Sequence, residues 1–160
     1  MLKHSLPVSH RKQVQNADCL AACVAMVLDY IGCPCPYQRL LSLLDVKAIG
    51  APSSNILRLT QLDVSVTYKT GSLDELELQI AQGRPCIVFL DTAELPYWSE
   101  ATFHAVVVAG MDDECIYVND PAFDQAPQCI TWGDFDLAWI EEGYYYAIIL
   151  RDKGVRWANA

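Results

Sequence analysis

The chain is poor in basic residues and has no long apolar run. It contains 11 lysines and arginines against 20 aspartates and glutamates, a net charge of -9 at pH 7. Nucleic acids and anionic membranes require a basic surface, so we expect neither as a partner. No apolar run approaches the ~18 residues of a membrane span, and MLKHSLPVSHRKQ lacks the apolar centre of a signal peptide. We therefore expect a cytoplasmic protein without a membrane span.

The sequence also lacks closely spaced, repeated cysteine pairs. Its seven cysteines are odd in number and do not form the framework of a disulfide-rich secreted fold, so we expect free thiols. A structural zinc site requires ligand pairs at short repeated spacings, and no C-x-x-C pair occurs. We expect no metal and no cofactor. The cysteines are Cys19, Cys23, Cys33, Cys35, Cys86, Cys115 and Cys129.

The order of the predicted elements indicates an α+β protein. With 160 residues, 52% of them hydrophobic, the chain suits a single domain over residues 1–160, with a core at about 8–150. Helices come first and mostly antiparallel strands follow. The patterns predict helices at 19–31, 37–46, 54–62, 72–83 and 132–142, and strands at 64–69, 85–91, on both sides of a hairpin within 103–121, and at 144–150.

One predicted helix carries two cysteines in different positions. The stretch QVQNADCLAACVAMVLDYIG occupies residues 13–32, and only Asp29 is charged between 19 and 31, which predicts a central, buried helix. Cys19 is its first residue, where free backbone N–H groups and the helix dipole favour a thiolate. Cys23 lies one turn further in and is expected to be an inert core thiol. Asp18 is expected to be the N-cap.

A predicted hairpin carries a histidine and an aspartate. In FHAVVVAGMDDECIYVNDP, residues 103–121, two β-rich runs flank Met-Asp-Asp. A turn centred on Asp112 places His104 opposite Asp120, on the same face, with Cβ atoms about 4.5 to 5.5 Å apart. A two-residue turn would shift this pairing by one residue. The sequence thus predicts a hydrogen bond between imidazole and carboxylate.

These residues together supply the groups that nucleophilic catalysis requires. Cys19 can be the nucleophile, His104 the base, and Asp120 the group that orients the base. The side-chain amide of Gln13, with the backbone N–H of Cys19, could stabilise an oxyanion, and Gln15 is a competing donor. Each residue alone also fits a structural role, in the core, at a strand edge or in a turn. Their combination favours catalysis.

Several short motifs occur in an order that is typical of one enzyme family. They are Q-x5-C at the start of the apolar helix (Gln13 and Cys19), Y-x-G at its end (Tyr30 and Gly32), HAVVVAG (104–110) and NDP (119–121). Over residues 8–150 the chain resembles the cysteine peptidase domain that trims double-glycine leaders from bacteriocin precursors, and it is identified as a stand-alone member of that family.

The resemblance implies a papain-like fold, with the Cys helix packed on a mostly antiparallel sheet. It implies Cys19 as nucleophile, His104 as base, Asp120 as the partner of the histidine and Gln13, rather than Gln15, as oxyanion donor. The implied substrate is a peptide or protein, such as a precursor peptide with a leader that ends in Gly-Gly. Because many family members are domains of peptide-exporting transporters, association with a transporter is left open.

One departure from the family pattern keeps other functions open. The family usually has glycine directly after the cysteine, whereas this chain has Leu20, whose side chain could crowd the approach to the sulfur. One alternative is therefore a catalytically silent module that binds a peptide in the same groove. Independently of Leu20, an acyl transferase that uses the same triad is a second alternative, because the sequence does not show which nucleophile reaches the thioester. A third is a thiol-rich domain without chemistry.

Overall fold

A computed structural model describes residues 4–152. The α-helices are α1 (Cys19–Tyr30), α2 (Tyr37–Leu43), α3 (Leu73–Ala81) and α4 (Trp132–Ile140). The strands are β1 (His4–Ser5), β2 (Val64–Thr70), β3 (Cys86–Asp91), β4 (Phe103–Met111), β5 (Cys115–Asn119), β6 (Gln128–Thr131) and β7 (Tyr145–Arg151). Two 3-10 helices span Ser53–Gln61 and Thr92–Glu94. The predicted α+β class is confirmed, although the sequence patterns did not predict β1, β6 or the second 3-10 helix.

The strands form a single antiparallel sheet. Its order is β2-β7-β3-β4-β5-β6, and β1 pairs with the far end of β4. The central strands β3 and β4 are almost wholly buried, which explains why their sequences are continuous apolar runs instead of alternating ones. The expectation of a mostly antiparallel sheet is confirmed.

Helices cover the sheet on both faces. On one face, α1, α2 and the first 3-10 helix pack against apolar side chains such as Phe89 and Val107. On the other, α3 and α4 pack against side chains such as Val88 and Val106. All nine residues from Leu20 to Leu28 are buried, as an apolar helix between a sheet and further helices requires. The predicted central helix is confirmed.

The predicted register of the β4–β5 hairpin is wrong. A turn centred on Asp112 would have placed Val107 opposite Tyr117, whereas Val107 pairs with Asn119 and Tyr117 pairs with Gly110. The register also shifts between Val108 and Gly110, where a β-bulge inserts one residue into β4.

The turn itself explains the shift. Asp112 and Cys115 close the hairpin through the Asp112 N–H and the Cys115 carbonyl at 3.0 Å, so the turn lies at Asp113 and Glu114. The Asp112 carboxylate accepts from the backbone N–H groups of Glu114 and Cys115, at 2.9 and 2.7 Å. This side-chain interaction favours a turn at Asp113 and Glu114. The prediction from the Met-Asp-Asp sequence, which centred the turn on Asp112, did not take it into account.

Two of the expected free thiols form a disulfide. Cys115 on β5 and Cys129 on β6 are bonded, with Cα atoms 5.5 Å apart, within the usual range for a disulfide. The expectation of seven thiols is thus wrong, because β6 was not predicted and its pairing with β5 brings the two residues together. The other five cysteines are free.

The disulfide predicts how many free thiols the protein contains before and after reduction. Titration of the denatured, unreduced protein with Ellman's reagent should detect five thiols, and all seven after reduction. The variant Cys129→Ser should show one thiol more than the wild type before reduction, because Cys115 is released. Seven thiols in the unreduced wild type would contradict the bond. Disulfides are rare in the cytoplasm, so the thiols should be counted on protein isolated from that compartment.

Candidate active site

Cys19 lies where the chain enters α1. The residue is partly exposed and packs beside the core of the α1 face. Asp18 occupies the predicted N-cap position, but its side chain makes no capping hydrogen bond to the helix. Its carboxylate accepts instead from the Gln15 N–H and the Tyr37 hydroxyl, both at 3.2 Å. The buried Asp18 therefore holds the loop before Cys19 against α2.

His104 and Asp120 form the predicted hydrogen bond. The His104 Nε2 and Asp120 Oδ1 atoms are 2.7 Å apart, and the two residues are 3% and 0% exposed. The pair forms although the register prediction was wrong. With Val107 opposite Asn119, Asp120 lies diagonal to His104 instead of directly opposite, and diagonal neighbours on one face are within reach of long side chains.

The Asp120 carboxylate accepts four hydrogen bonds. Its Oδ1 also accepts from the Ala122 N–H at 2.9 Å, and its Oδ2 accepts from the Tyr97 hydroxyl and the Trp98 Nε1, both at 2.9 Å. Four donors satisfy an ionised carboxylate that has no contact with water. The sequence motifs did not single out Tyr97 and Trp98. The available signal was a pair of aromatic residues in a polar loop shortly before the histidine.

These contacts change the pKa values of both partners. Burial alone would lower the pKa of His104, but hydrogen bonds and charge interactions with Asp120 and Cys19 outweigh it and raise the pKa to about 9. Burial is the largest single influence on Asp120 and tends to raise its pKa, but the hydrogen bond and charge of His104, together with the other hydrogen-bond donors, outweigh it, so the pKa is lowered. Because Nε2 is bonded to Asp120, the Nδ1 nitrogen is the one left for Cys19.

Cys23 has a different environment from Cys19. It is fully buried, and burial, reinforced by the negative charges of Cys19 and Asp120, raises the pKa of its thiol well above the usual value. A thiol in this setting stays protonated and unreactive at neutral pH. The two cysteines of α1 thus differ in access and in environment, as the helix pattern predicted.

The two candidate oxyanion donors have different surroundings. Gln13 is half-buried, its Nε2 donates to the Asn16 carbonyl at 3.3 Å, and its Oε1 is buried without a hydrogen-bond partner. Gln15 is exposed. Both border an open cleft of about 550 Å³, which is also lined by Tyr97 and Trp98.

The N-terminal arm, residues 4–16, is tied to the loop that follows Asp120. The Asn119 side chain donates to the Val8 carbonyl at 3.0 Å, and the Gln13 N–H donates to the Pro121 carbonyl at 2.8 Å. Between them, the His10 Nε2 lies 2.7 Å from the Phe123 carbonyl oxygen. The arm thereby fixes the position of Gln13 relative to the His104–Asp120 pair.

The described part of the chain offers neither a metal centre nor a membrane span. Among residues 4–152, no group of three or more His, Cys, Asp or Glu side chains is arranged to hold a metal ion. Within the same range, no helix has the length and apolar character needed to cross a bilayer.

Comparison with known proteins decides the family. The sequence model of the Peptidase C39 family matches residues 8–150. The chain belongs to the Peptidase C39 family. The expected family is confirmed, and with it the enzyme class, a cysteine peptidase that acts on a peptide substrate. No curated protein matches the sequence.

Solved structures of C39 peptidases share the fold. A protein described as a C39-like peptidase from Bacillus anthracis superposes with a TM-score of 0.78 at 17% identity, covering 93% of this chain and 98% of the other. A double glycine motif protease from an AMS/PCAT transporter, in complex with the leader peptide, gives 0.72 at 21% identity, covering 93% and 95%. The peptidase domain of Streptococcus ComA gives 0.75 at 16% identity, covering 90% and 98%. The papain-like fold is thus confirmed.

The raised pKa of His104 predicts a pH-dependent stability. The unfolded side chain has a pKa of ~6.5, and the folded one about 9. Between these values the folded state binds more protons, so the free energy of unfolding should fall as the pH rises through this window. Below it the stabilisation is fully present. Urea unfolding of wild type and His104→Gln should show this slope only in the wild type.

The control for this measurement is His4→Gln, which removes a histidine of β1. It should keep the wild-type slope between pH 6.5 and 9. An identical slope in wild type and His104→Gln would contradict a stabilising interaction of the protonated imidazole.

Proposed function

We propose that the chain is a cysteine endopeptidase, acting as a single domain, in which Cys19, His104 and Asp120 form the catalytic triad. The observation that carries the proposal is the buried hydrogen bond of 2.7 Å between His104 Nε2 and Asp120. That bond fixes the imidazole so that its other nitrogen is available to a thiol. Cys19 is that thiol, at the start of a helix whose dipole favours a thiolate.

In the first half of the reaction, the Cys19 thiolate attacks the carbonyl carbon of the scissile peptide bond. The carbonyl π electrons move to oxygen, and a tetrahedral oxyanion forms. When it collapses, the C–N bond breaks, and the His104 imidazolium donates its proton to the leaving amine. The products of this step are a free amine and a thioester on Cys19.

In the second half, water attacks the thioester while neutral His104 accepts its proton. Collapse of the second tetrahedral intermediate breaks the C–S bond and releases a carboxylic acid and the Cys19 thiolate. His104 retains the proton, so the ion pair is restored without a cofactor. Asp120 keeps the imidazole in one orientation and stabilises its charged form throughout.

Gln13 is proposed as the side-chain donor to the oxyanion, together with the backbone N–H of Cys19. Its partial burial beside the 119–123 segment supports this choice over the exposed Gln15. The bond from Nε2 to the Asn16 carbonyl uses one amide hydrogen and leaves the second free.

The position of Leu20 argues against a catalytically silent module. Its side chain is 3% exposed and belongs to the core on the α1 face. The substitution of leucine for glycine therefore fills the core instead of crowding the sulfur, which favours the enzyme over a silent binding module.

As substrate we propose a precursor peptide that is cleaved after a Gly-Gly leader. The similarity to a double glycine motif protease in complex with the leader peptide supports this class. The similarity to ComA, a bi-functional ABC transporter, supports an association with peptide export. We place the reaction in the cytoplasm, where the Cys19 thiol stays reduced, although the Cys115–Cys129 disulfide is a bond that is rare in that compartment.

The reactivity of Cys19 tests the triad directly. Iodoacetamide labelling, followed by peptide mass mapping, should modify Cys19 rapidly well below the usual thiol pKa of ~8.5. His104→Ala should slow this labelling at pH 6 by about tenfold or more, because the imidazolium partner is lost. Cys23 provides the internal control, since its burial should keep it unlabelled in both proteins. Equal labelling of Cys19 with and without His104 would refute the ion pair.

Cleavage assays test the oxyanion donor. The probe is a synthetic peptide with an amphipathic leader that ends in Gly-Gly, and Cys19→Ala should abolish its cleavage. Gln13→Ala should lower kcat by roughly 10²- to 10³-fold, the usual cost of removing one oxyanion donor. Gln15→Ala, a matched change two residues away, should leave kcat near the wild-type value. The reverse ranking would assign the role to Gln15.

A further inference from the structure

The segment between β3 and β4 contacts the Asp120 carboxylate with two consecutive side chains. Tyr97 and Trp98 both donate to Oδ2, the oxygen that His104 does not use. Both donors come from residues 92–102, which we call the 92–102 loop. One loop thus supplies both donors to Oδ2, whereas Oδ1 accepts from His104 and from the Ala122 N–H.

We propose that Tyr97 and Trp98 are positioning residues, which hold the Asp120 carboxylate ionised and in place so that His104 can form its ion pair with Cys19. This inference rests on the proposed function of the triad. It adds that the triad is maintained by a further element of the fold, the 92–102 loop, which lies outside the sequence motifs of the site.

The loop is anchored so that it can hold the two aromatic residues in position. Its ends are joined by bonds from the Thr92 N–H to the Thr102 carbonyl at 3.0 Å and from the Thr102 N–H to Thr92 Oγ1 at 2.9 Å. Thr92 and Leu95 are buried, and Leu95 packs into the core on the α3 and α4 face. A closed base and an apolar anchor give the loop a defined conformation.

The rings of the loop also enclose the bond between His104 and Asp120. Trp98 lies edge-on to the His104 imidazole, with ring centroids 4.8 Å apart. Phe123 packs edge-on against both Tyr97 and Trp98, at 5.1 and 5.3 Å. This aromatic cover keeps water from the bond, and a hydrogen bond between charged groups is stronger in such surroundings.

Asp120 needs these donors because it is completely buried. A buried carboxylate takes up a proton readily unless hydrogen bonds and positive charge favour its ionised form. The titratable groups that interact with it are His104 from β4, Cys23 from α1 and Tyr97 from the loop, and Cys19 interacts in turn with His104. Burial and the charge of Asp120 raise the pKa of Tyr97, so its hydroxyl remains a donor at any working pH.

Loss of a donor should therefore act through Asp120. The carboxylate would take up a proton at higher pH, His104 would lose its anionic partner, and the Cys19 thiolate would lose its cation. The pH below which Cys19 loses its reactivity would rise. A purely structural role for the two aromatic residues predicts no such movement.

The variants Tyr97→Phe and Trp98→Phe remove one donor each and keep a ring. Matched controls are Tyr117→Phe, which removes a tyrosine bond to the Asp112 carboxylate, and Trp132→Phe, which removes a tryptophan bond to the Asp112 carbonyl. The readout is the rate of iodoacetamide labelling at Cys19 between pH 4 and 8. It requires no knowledge of the substrate, and circular dichroism establishes that each variant is folded.

We expect the acid limb of the labelling profile to move up by about one pH unit in Tyr97→Phe and in Trp98→Phe, with labelling at pH 5 about tenfold slower. Both control variants should superpose on the wild type. Tyr97→Phe removes a single oxygen atom, so it keeps the proposal testable should Trp98→Phe fold poorly.

Two other outcomes are distinguishable. In the first, the acid limb of the wild-type labelling profile depends on His104, but the acid limbs of Tyr97→Phe and Trp98→Phe coincide with those of the controls. The positioning role is then wrong and the proposed triad stands. If wild-type Cys19 is not reactive at low pH, or its reactivity ignores His104, the proposed function fails and the positioning role fails with it.

Discussion

The hydrogen bond between His104 and Asp120 is the interaction on which the rest of the site depends. An ionised carboxylate without contact to water is unfavourable unless every acceptor position is satisfied, and here β4, the 92–102 loop and the residues after Asp120 supply the donors. Because the loop and β4 are consecutive in the chain, a single stretch over residues 92–104 must meet a carboxylate that directly follows β5. The antiparallel sheet achieves this by placing the end of β5 beside the start of β4.

The acid–base pair and the nucleophile are supplied by different parts of the fold. His104 and Asp120 belong to the sheet and its connections, whereas Cys19 begins the helix that packs on the sheet. Burial of nine consecutive apolar residues of α1 holds this helix against β4. Packing of the core therefore sets the position of the sulfur, and side-chain hydrogen bonds set the position of the imidazole.

Much of this arrangement follows from the sequence, because its signals are local or periodic. The apolar run after Cys19 predicts a helix and the paired β-rich runs predict a hairpin, and together they single out Cys19, His104 and Asp120. The register of the hairpin, the strand β6 with its disulfide, and the contacts of Tyr97 and Trp98 could not be predicted. They depend on a side-chain interaction within a turn and on pairings between distant segments, for which the sequence carries no periodic signal.

The N-terminal arm has a consequence for how the site can lose its function. The arm is bonded to residues 119–123 at three points along its length, and it leads directly into α1. A local opening of the arm would release Gln13, the approach to Cys19 and the segment beside Asp120 in one event. The oxyanion donor, the nucleophile and the partner of the base thus belong to one cooperative unit. Local unfolding of this unit would abolish activity completely instead of reducing it.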